Sequence, residues 1–98
     1  MDENFEDPVE IPITNELDLH TFRPNEIGIL IPEYLIEARK KGFTSVRIIH
    51  GKGTGTLRTG VHKLLERSPL VESFHLADET SGGWGATVAH FKKRDEDL

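Results

Sequence analysis

Two short stretches carry residue types suited to acid–base and phosphate chemistry. ELDLH, residues 16–20, sets Asp18 two positions before His20. HGKGTGTLR, residues 50–58, spaces glycines at 51, 53 and 55 around Lys52 and closes on Arg58. An imidazole with an ordinary pKa of about 6.5 can take or give a proton at neutral pH, and a carboxylate beside it can orient it or steady its charge. Alternating glycines let backbone N–H groups converge on an anion. Lys52 and Arg58 add formal charge, Thr54 and Thr56 add hydroxyl donors, and a following helix adds the positive end of its dipole. The loop therefore reads as a phosphate cradle. Its spacing is neither that of a P-loop nor that of a dinucleotide fingerprint. The plainer alternatives are a tight strand-to-helix turn needing positive φ, and, for His20, a strand-end histidine bonded to the loop.

These residues need strands and helices to present them. In ELDLH as a strand, Leu17 and Leu19 face a core while Asp18 and His20 point the other way. Between Pro24 and Lys41, Ile27, Leu30, Ile31, Tyr34, Leu35 and Ala38 follow the helical apolar rule, and Gly42 suits a C-terminal cap. Pro32 interrupts that stripe, so the spacing predicts a kinked helix, or a short turn and a helix starting near Ile31. SVRIIH, residues 45–50, predicts a strand that delivers His50 into the glycine loop. Leu57, Val61, Leu64 and Leu65 mark a second helix, ended by Pro69. Residues 71–77 read as a strand with Val71, Ser73 and His75 on one face and Glu72, Phe74 and Leu76 on the other. SGGWG is a turn into a last strand, ATVAHF, and Val9 to Ile13 could form an edge arm. Strands joined through a helix run parallel, with right-handed crossovers. The prediction is a two-layer α/β sandwich, β-α-β-α-β-β, with a mixed sheet of about four strands and both helices on one face. Phe43, Phe74 and Phe91 are read as core.

Composition bounds the function. The chain has 98 residues, no cysteine and a net charge of −5. One domain is expected, with no disulfides and no thiolate chemistry. No apolar run approaches the ~20 residues of a membrane span, and the acidic start is unlike a signal peptide, so a cytoplasmic chain without a membrane partner is expected. The acidity is uneven: residues 1–16 hold six acids and no base, whereas residues 17–91 hold eight acids and nine bases. Three units follow: an acidic tail or arm over 1–15, a near-neutral domain over 16–92 and a charged tail over 93–98. Neutrality argues against tight nonspecific binding and for recognition of a particular shape, or for a helper protein.

ELDLH, then IIHGKGTGTLR after one helix, then GGWGATVAHF at 82–91, together resemble the Smr (small MutS-related) domain family over about residues 16–92. The chain resembles its stand-alone members. The resemblance implies a fold similar to the C-terminal domain of translation initiation factor 3, binding of DNA or RNA, and endonuclease activity in several members. The family's D-L-H motif falls on Asp18, Leu19 and His20, and its H-G-x-G-x-G loop on His50, Gly51, Lys52, Gly53, Thr54 and Gly55, with Leu57 and Arg58 continuing it. Thr21 stands where the family usually has glycine, and Trp84 where a smaller residue is usual.

On this reading Asp18 and His20 are catalytic, while Arg23, His50, Gly51, Lys52, Gly53, Thr54, Gly55, Arg58 and Trp84 bind nucleic acid. His50 is given contact or orienting work. Arg23 could grip a phosphate or be a solvated loop residue. Trp84 could stack on an unpaired base, worth about 1 to 3 kcal/mol, or cover the core edge. On RNA, His20 would deprotonate the ribose 2′-OH with no metal. On DNA water must attack, and Asp18 could hold Mg²⁺ or Mn²⁺. The substrate expected is RNA or branched DNA; the alternatives are a DNA/RNA-binding module without catalysis and a site for a small phosphorylated ligand. His62, His75 and His90 lack ligand spacing and read as surface or packed histidines.

Overall fold

The computed structural model of the chain describes residues 13–53, 55–77 and 85–93. Strand β1 is Glu16–Asp18, helix α1 is Ile27–Lys40, strand β2 is Ser45–Ile49, helix α2 is Thr56–Arg67, strand β3 is Val71–Leu76 and strand β4 is Ala86–Phe91. The sheet runs β1-β2-β4-β3. β1 and β2 are parallel, as their helical crossover demands, while β4 lies antiparallel to both β2 and β3. This is the expected two-layer α/β architecture, with the last strand inserted between β2 and β3. Thr54, Trp84 and the Val9 to Pro12 part of the expected arm lie outside the described residues.

The helix layer packs through the stripe read from the sequence: Ile27, Ile31, Tyr34, Leu35 and Ala38 of α1 are buried, with Val61 and Leu65 of α2. They meet Leu19, Val46, Ile48, Val71, Ala89 and Phe91 from the sheet layer, with Phe43 and Phe74 packed against this core. Pro32 does not start the helix. A 3₁₀ turn, Pro24–Glu26, leads into α1 at Ile27, and the helix runs through Pro32. Starting at Ile31 would expose Ile27, whose burial is worth about 1.5 to 3 kcal/mol, comparable with the ~3 kcal/mol penalty of an internal proline. The helix ends in a Schellman motif: Phe43 N–H bonds the Ala38 carbonyl at 3.3 Å, Gly42 N–H bonds Arg39 at 3.0 Å, and Gly42 takes φ +94°.

One strand departs from simple alternation. β3 carries a bulge between Val71 and Ser73, so Val71 and Phe74 both turn toward the helices although three positions apart. The expected grouping of Val71 with Ser73 and His75 therefore fails at the bulge. Beyond it, His75 lies on the face without helices, where its Nε2 meets that of His90 at 3.1 Å. On the same face Arg47 pairs with Glu16 across β2 and β1.

Candidate functional site

β1 and β2 are parallel neighbours, so both release their chains at the same edge of the sheet. Leu19 N–H extends the ladder to the Ile49 carbonyl at 2.9 Å, which brings the turn after β1 alongside the start of the glycine loop. Open α/β sheets place ligands at such carboxyl ends. Asp18 and His20 lie on the outer side of this edge, while His50 lies on the helix side, in phase with buried Val46 and Ile48.

Asp18 and His20 form a defined pair. Asp18 Oδ1 accepts the His20 backbone N–H at 2.9 Å and stands 2.9 Å from His20 Nδ1. These bonds hold the Asp18 carboxyl below its ordinary value, the backbone bond foremost, so it is ionised at neutral pH. An ionised carboxylate only accepts, so Nδ1 carries the proton and Nε2 of neutral His20 keeps its lone pair. The His20 side chain is 75% exposed. The pair therefore offers an oriented base to solvent.

His50 has the opposite environment. It is buried, its Nδ1 lies 3.0 Å from the Gly51 carbonyl oxygen, and its Nε2 lies 2.8 Å from Thr87 Oγ1. The same hydroxyl lies 2.8 Å from His62 Nε2. His62 in turn leans on Phe74, ring centroids 5.0 Å apart. Burial pulls the pKa of His50 below its ordinary value, and the Arg58 charge works in the same direction against the Gly51 hydrogen bond. Burial also lowers His62, with His50 and Arg58 adding to it. The sequence reading left His62 as a surface or packed residue and did not single out Thr87. The available signal was periodicity: α2 places His62 one position after core Val61, and Thr87 shares its strand face with Ala89 and Phe91.

The glycine loop hangs from the start of β4. The Gly85 carbonyl accepts both His50 N–H at 2.9 Å and Gly51 N–H at 2.8 Å. A Cβ on Gly85 would sit 3.3 Å from Lys52 Cγ, so a side chain there would press on the loop. Of the backbone N–H groups read as converging on an anion, that of Gly51 is thus spent on β4. Gly51 and Gly55 take φ +84° and +89°, the left-handed region, and Gly55 is the N-cap of α2. At Gly55 a Cβ would also lie 3.1 Å from Arg58 Nη2, which places that guanidinium over the cap. The first turn of α2 holds no acid. Pro24, His50, Gly51, Gly53, Gly55, Thr56, Leu57 and Arg58 line a cleft at this point. Arg23 is exposed in the turn before Pro24, its N–H held by Glu26 Oε1 at 2.7 Å, and Lys52 is exposed on the loop.

Among the described residues no group of three or more His, Asp or Glu side chains is arranged to hold a metal ion. Asp18 is the carboxylate of the D-L-H motif, and its Oδ1 is engaged by His20. A lone carboxylate with one oxygen already engaged does not fit a chelated divalent ion. Among the described residues, no helix is long and apolar enough to cross a membrane.

Comparison with known proteins bears on the family and the fold. The Smr domain family model matches residues 17–92. Endonuclease MutS2 of Ligilactobacillus salivarius is 41% identical over 80 residues, covering 82% of this chain and 10% of that protein. Its counterpart in Levilactobacillus brevis is 45% identical over 76 residues, covering 78% of this chain and again 10% of the relative. The chain thus spans about a tenth of the length of these curated relatives. The crystal structure of the Smr domain of Thermus thermophilus MutS2 superposes with a TM-score of 0.76 at 38% identity, over 82% of this chain and all of that one. YdaL, a stand-alone small MutS-related protein from Escherichia coli, gives 0.76 at 26% identity, over 86% of this chain and 69% of that one. With its two helices on a four-stranded mixed sheet and its family match running from β1 to the residue after β4, the chain belongs to the Smr domain family.

Proposed function

We propose that this domain binds nucleic acid at the edge formed by the D-L-H turn and the glycine loop, and cleaves a phosphodiester there with His20 as general base. The observation that carries the reading is the Asp18–His20 pair, exposed and oriented at the same edge of the sheet from which the glycine loop leaves. The names of the relatives, endonucleases among them, support the same class of reaction.

The chemistry favours RNA. His20 Nε2 would take the proton of a ribose 2′-OH, the freed oxygen would attack the adjacent phosphorus, and the bond to the 5′-oxygen would break, that oxygen leaving with a proton from solvent. The products are a 2′,3′-cyclic phosphate and a 5′-hydroxyl. Asp18 steadies the imidazolium that forms, while Lys52, Arg58 and the dipole of α2 stabilise the charge developing on phosphate. A positioned base of this kind contributes about 10² to 10⁴ in rate. DNA lacks the attacking hydroxyl.

The test is cleavage of end-labelled single-stranded RNA, matched DNA and a branched DNA junction by wild type and His20→Ala, with Mg²⁺ or Mn²⁺ and with EDTA. RNA cleavage that survives EDTA and is lost in the variant is expected. Binding without cleavage of any substrate would leave a phosphate-binding module and refute the nuclease reading. Mononucleotide binding as tight as oligonucleotide binding, with a shallow salt slope, would instead favour a small phosphorylated ligand.

A further inference from the structure

We propose that His62 and Thr87 are positioning residues for the glycine loop, acting through a directional hydrogen-bond relay that runs His62, Thr87, His50, Gly51. The proposal rests on the phosphate-binding reading of that loop and concerns residues outside its two motifs.

The order of the relay follows from donor and acceptor chemistry. The Gly51 carbonyl only accepts, so His50 Nδ1, 3.0 Å away, carries a hydrogen. In a neutral imidazole the other nitrogen is then bare, and His50 Nε2 must accept from the Thr87 hydroxyl at 2.8 Å. That hydroxyl has a single hydrogen. Its second contact, His62 Nε2 at 2.8 Å, must therefore donate to a lone pair of Oγ1. Every hydrogen in the chain has one place to go, and Thr87 is fully buried. A buried trio of this kind is stable when all members are satisfied and costly when one is removed.

The relay ends on the loop. Both ring nitrogens of His50 are committed inside the protein, so it is not the base; its proton donation fixes the Gly51 carbonyl. A peptide unit is planar and trans, so fixing that carbonyl also fixes the plane from which Lys52 departs. The N–H of the same Gly51 is held by the Gly85 carbonyl at 2.8 Å. Both sides of Gly51 are thus tied to the chain at the start of β4, one directly to Gly85 and one through Thr87 and His50. A glycine at φ +84° has no side chain to hold it, and these two ties supply the order that its backbone lacks. The threonine is specific in this role, because serine keeps the hydroxyl whereas valine keeps only the shape.

The experiment uses the whole chain with nitrogen-15 in its imidazoles. Two-bond proton–nitrogen correlation at neutral pH reads the tautomer of each histidine, and fluorescence anisotropy reads binding of a short single-stranded RNA. In wild type His50 is expected with hydrogen on Nδ1 and a bare Nε2, and His62 with hydrogen on Nε2. Thr87→Val should broaden or mix the His50 tautomer pattern and weaken RNA binding about tenfold, while Thr87→Ser keeps both. Hydrogen on Nε2 of His50 in wild type overturns the relay, and so does a folded Thr87→Val that binds as wild type does. If Thr87→Val does not fold, the wild-type tautomers and the binding of Thr87→Ser decide, and a tenfold loss in Thr87→Ser refutes the hydroxyl's role. Wild type that shows the expected tautomers yet binds no RNA supports the hydrogen-bond order and overturns the phosphate-binding reading instead.

Discussion

Three glycines share one backbone conformation and differ in what surrounds them, which makes them a test of how the loop works. Gly42, Gly51 and Gly55 have φ of +94°, +84° and +89°. Alanine in this left-handed region costs about 1 to 2 kcal/mol, partly offset by the lower entropy it gives the unfolded chain. A net loss of about 1 kcal/mol is expected at each position, or a fall in Tm of about 4 to 8 °C in a domain of this size. Binding should separate them. Gly42 caps α1 away from the cleft, so Gly42→Ala should bind RNA as wild type does. Gly51→Ala meets no atom within 4 Å, and its effect on binding comes from the strained loop alone. Gly55→Ala places its methyl 3.1 Å from Arg58 Nη2. The guanidinium is the flexible end of its side chain and swings aside at little cost in stability, but it then leaves its place over the helix cap, where the proposed phosphate contact is made. Gly55→Ala should thus lose binding beyond Gly51→Ala, and its salt slope should fall by about 0.7, the equivalent of one lost phosphate contact on a single strand. Thermal unfolding and anisotropy over a salt series measure the two effects. Repeating Gly55→Ala in an Arg58→Ala background supplies the decisive comparison. If the extra loss persists there, Arg58 is not its cause, and the role given to the guanidinium over the helix cap is wrong.

Two further outcomes follow from the packing and the titrating groups. His50 and His62 both have folded pKa values below their ordinary 6.5, so the unfolded chain binds more protons just below that value. Their contribution to stability should be present above about pH 6.5 and decline as pH falls through the window beneath it, while that of Asp18, whose folded pKa is lowered too, is present above its ordinary 3.8 and is lost as pH falls below it. Urea unfolding over a pH series checks this, and stability rising from neutral pH toward pH 5 would contradict it. At the helix crossing, a Cβ on Gly60 would lie 2.9 Å from Ile27 Cδ1. Gly60→Ala should therefore destabilise by about 1 to 3 kcal/mol, with Ile27→Val relieving part of the loss in the double variant. Additive losses in that cycle would mean that the helices part without strain.

Much of the fold was legible because its signals are local. The stripe from Ile27 to Ala38, Gly42 after three basic residues, and alternation in β2 each follow from one element's own geometry. What escaped needed two elements at once. The bulge in β3 shifts its pairing with β4, and nothing in VESFHL marks the residue at which the face changes. α1 continues through Pro32 because Ile27 is buried beneath α2, near Gly60, a contact that no window along α1 contains. The candidate site divides in the same way. Asp18, His20 and the loop stand out by spacing, whereas Gly85, Thr87 and His62 act on that loop from β4 and α2, far from it in sequence.

The contrasting fates of the two motif histidines follow from the parity of the strands that lead to them. Leu17 faces inward in the first strand, so Asp18, on the other parity, leaves toward solvent, and its carboxylate holds His20 beside it in the turn that follows. In the second strand Val46 and Ile48 are inward, and His50 is the next residue of that parity, so it follows them under α2. One edge of the sheet thereby receives two imidazoles from opposite faces, one exposed and oriented by a carboxylate, the other buried and bonded to the loop. Exchanging these surroundings would remove both proposed roles: an exposed His50 would lose its hold on Gly51, and a buried His20 could not serve as the proposed base. A single-residue insertion before His50 would reverse its parity while leaving the loop motif intact. RNA binding should then fall even though HGKGTG is unchanged, measured on protein whose circular dichroism shows the fold retained. Undiminished binding by that folded variant would mean that the motif's own residues suffice and that its attachment to β4 does not matter.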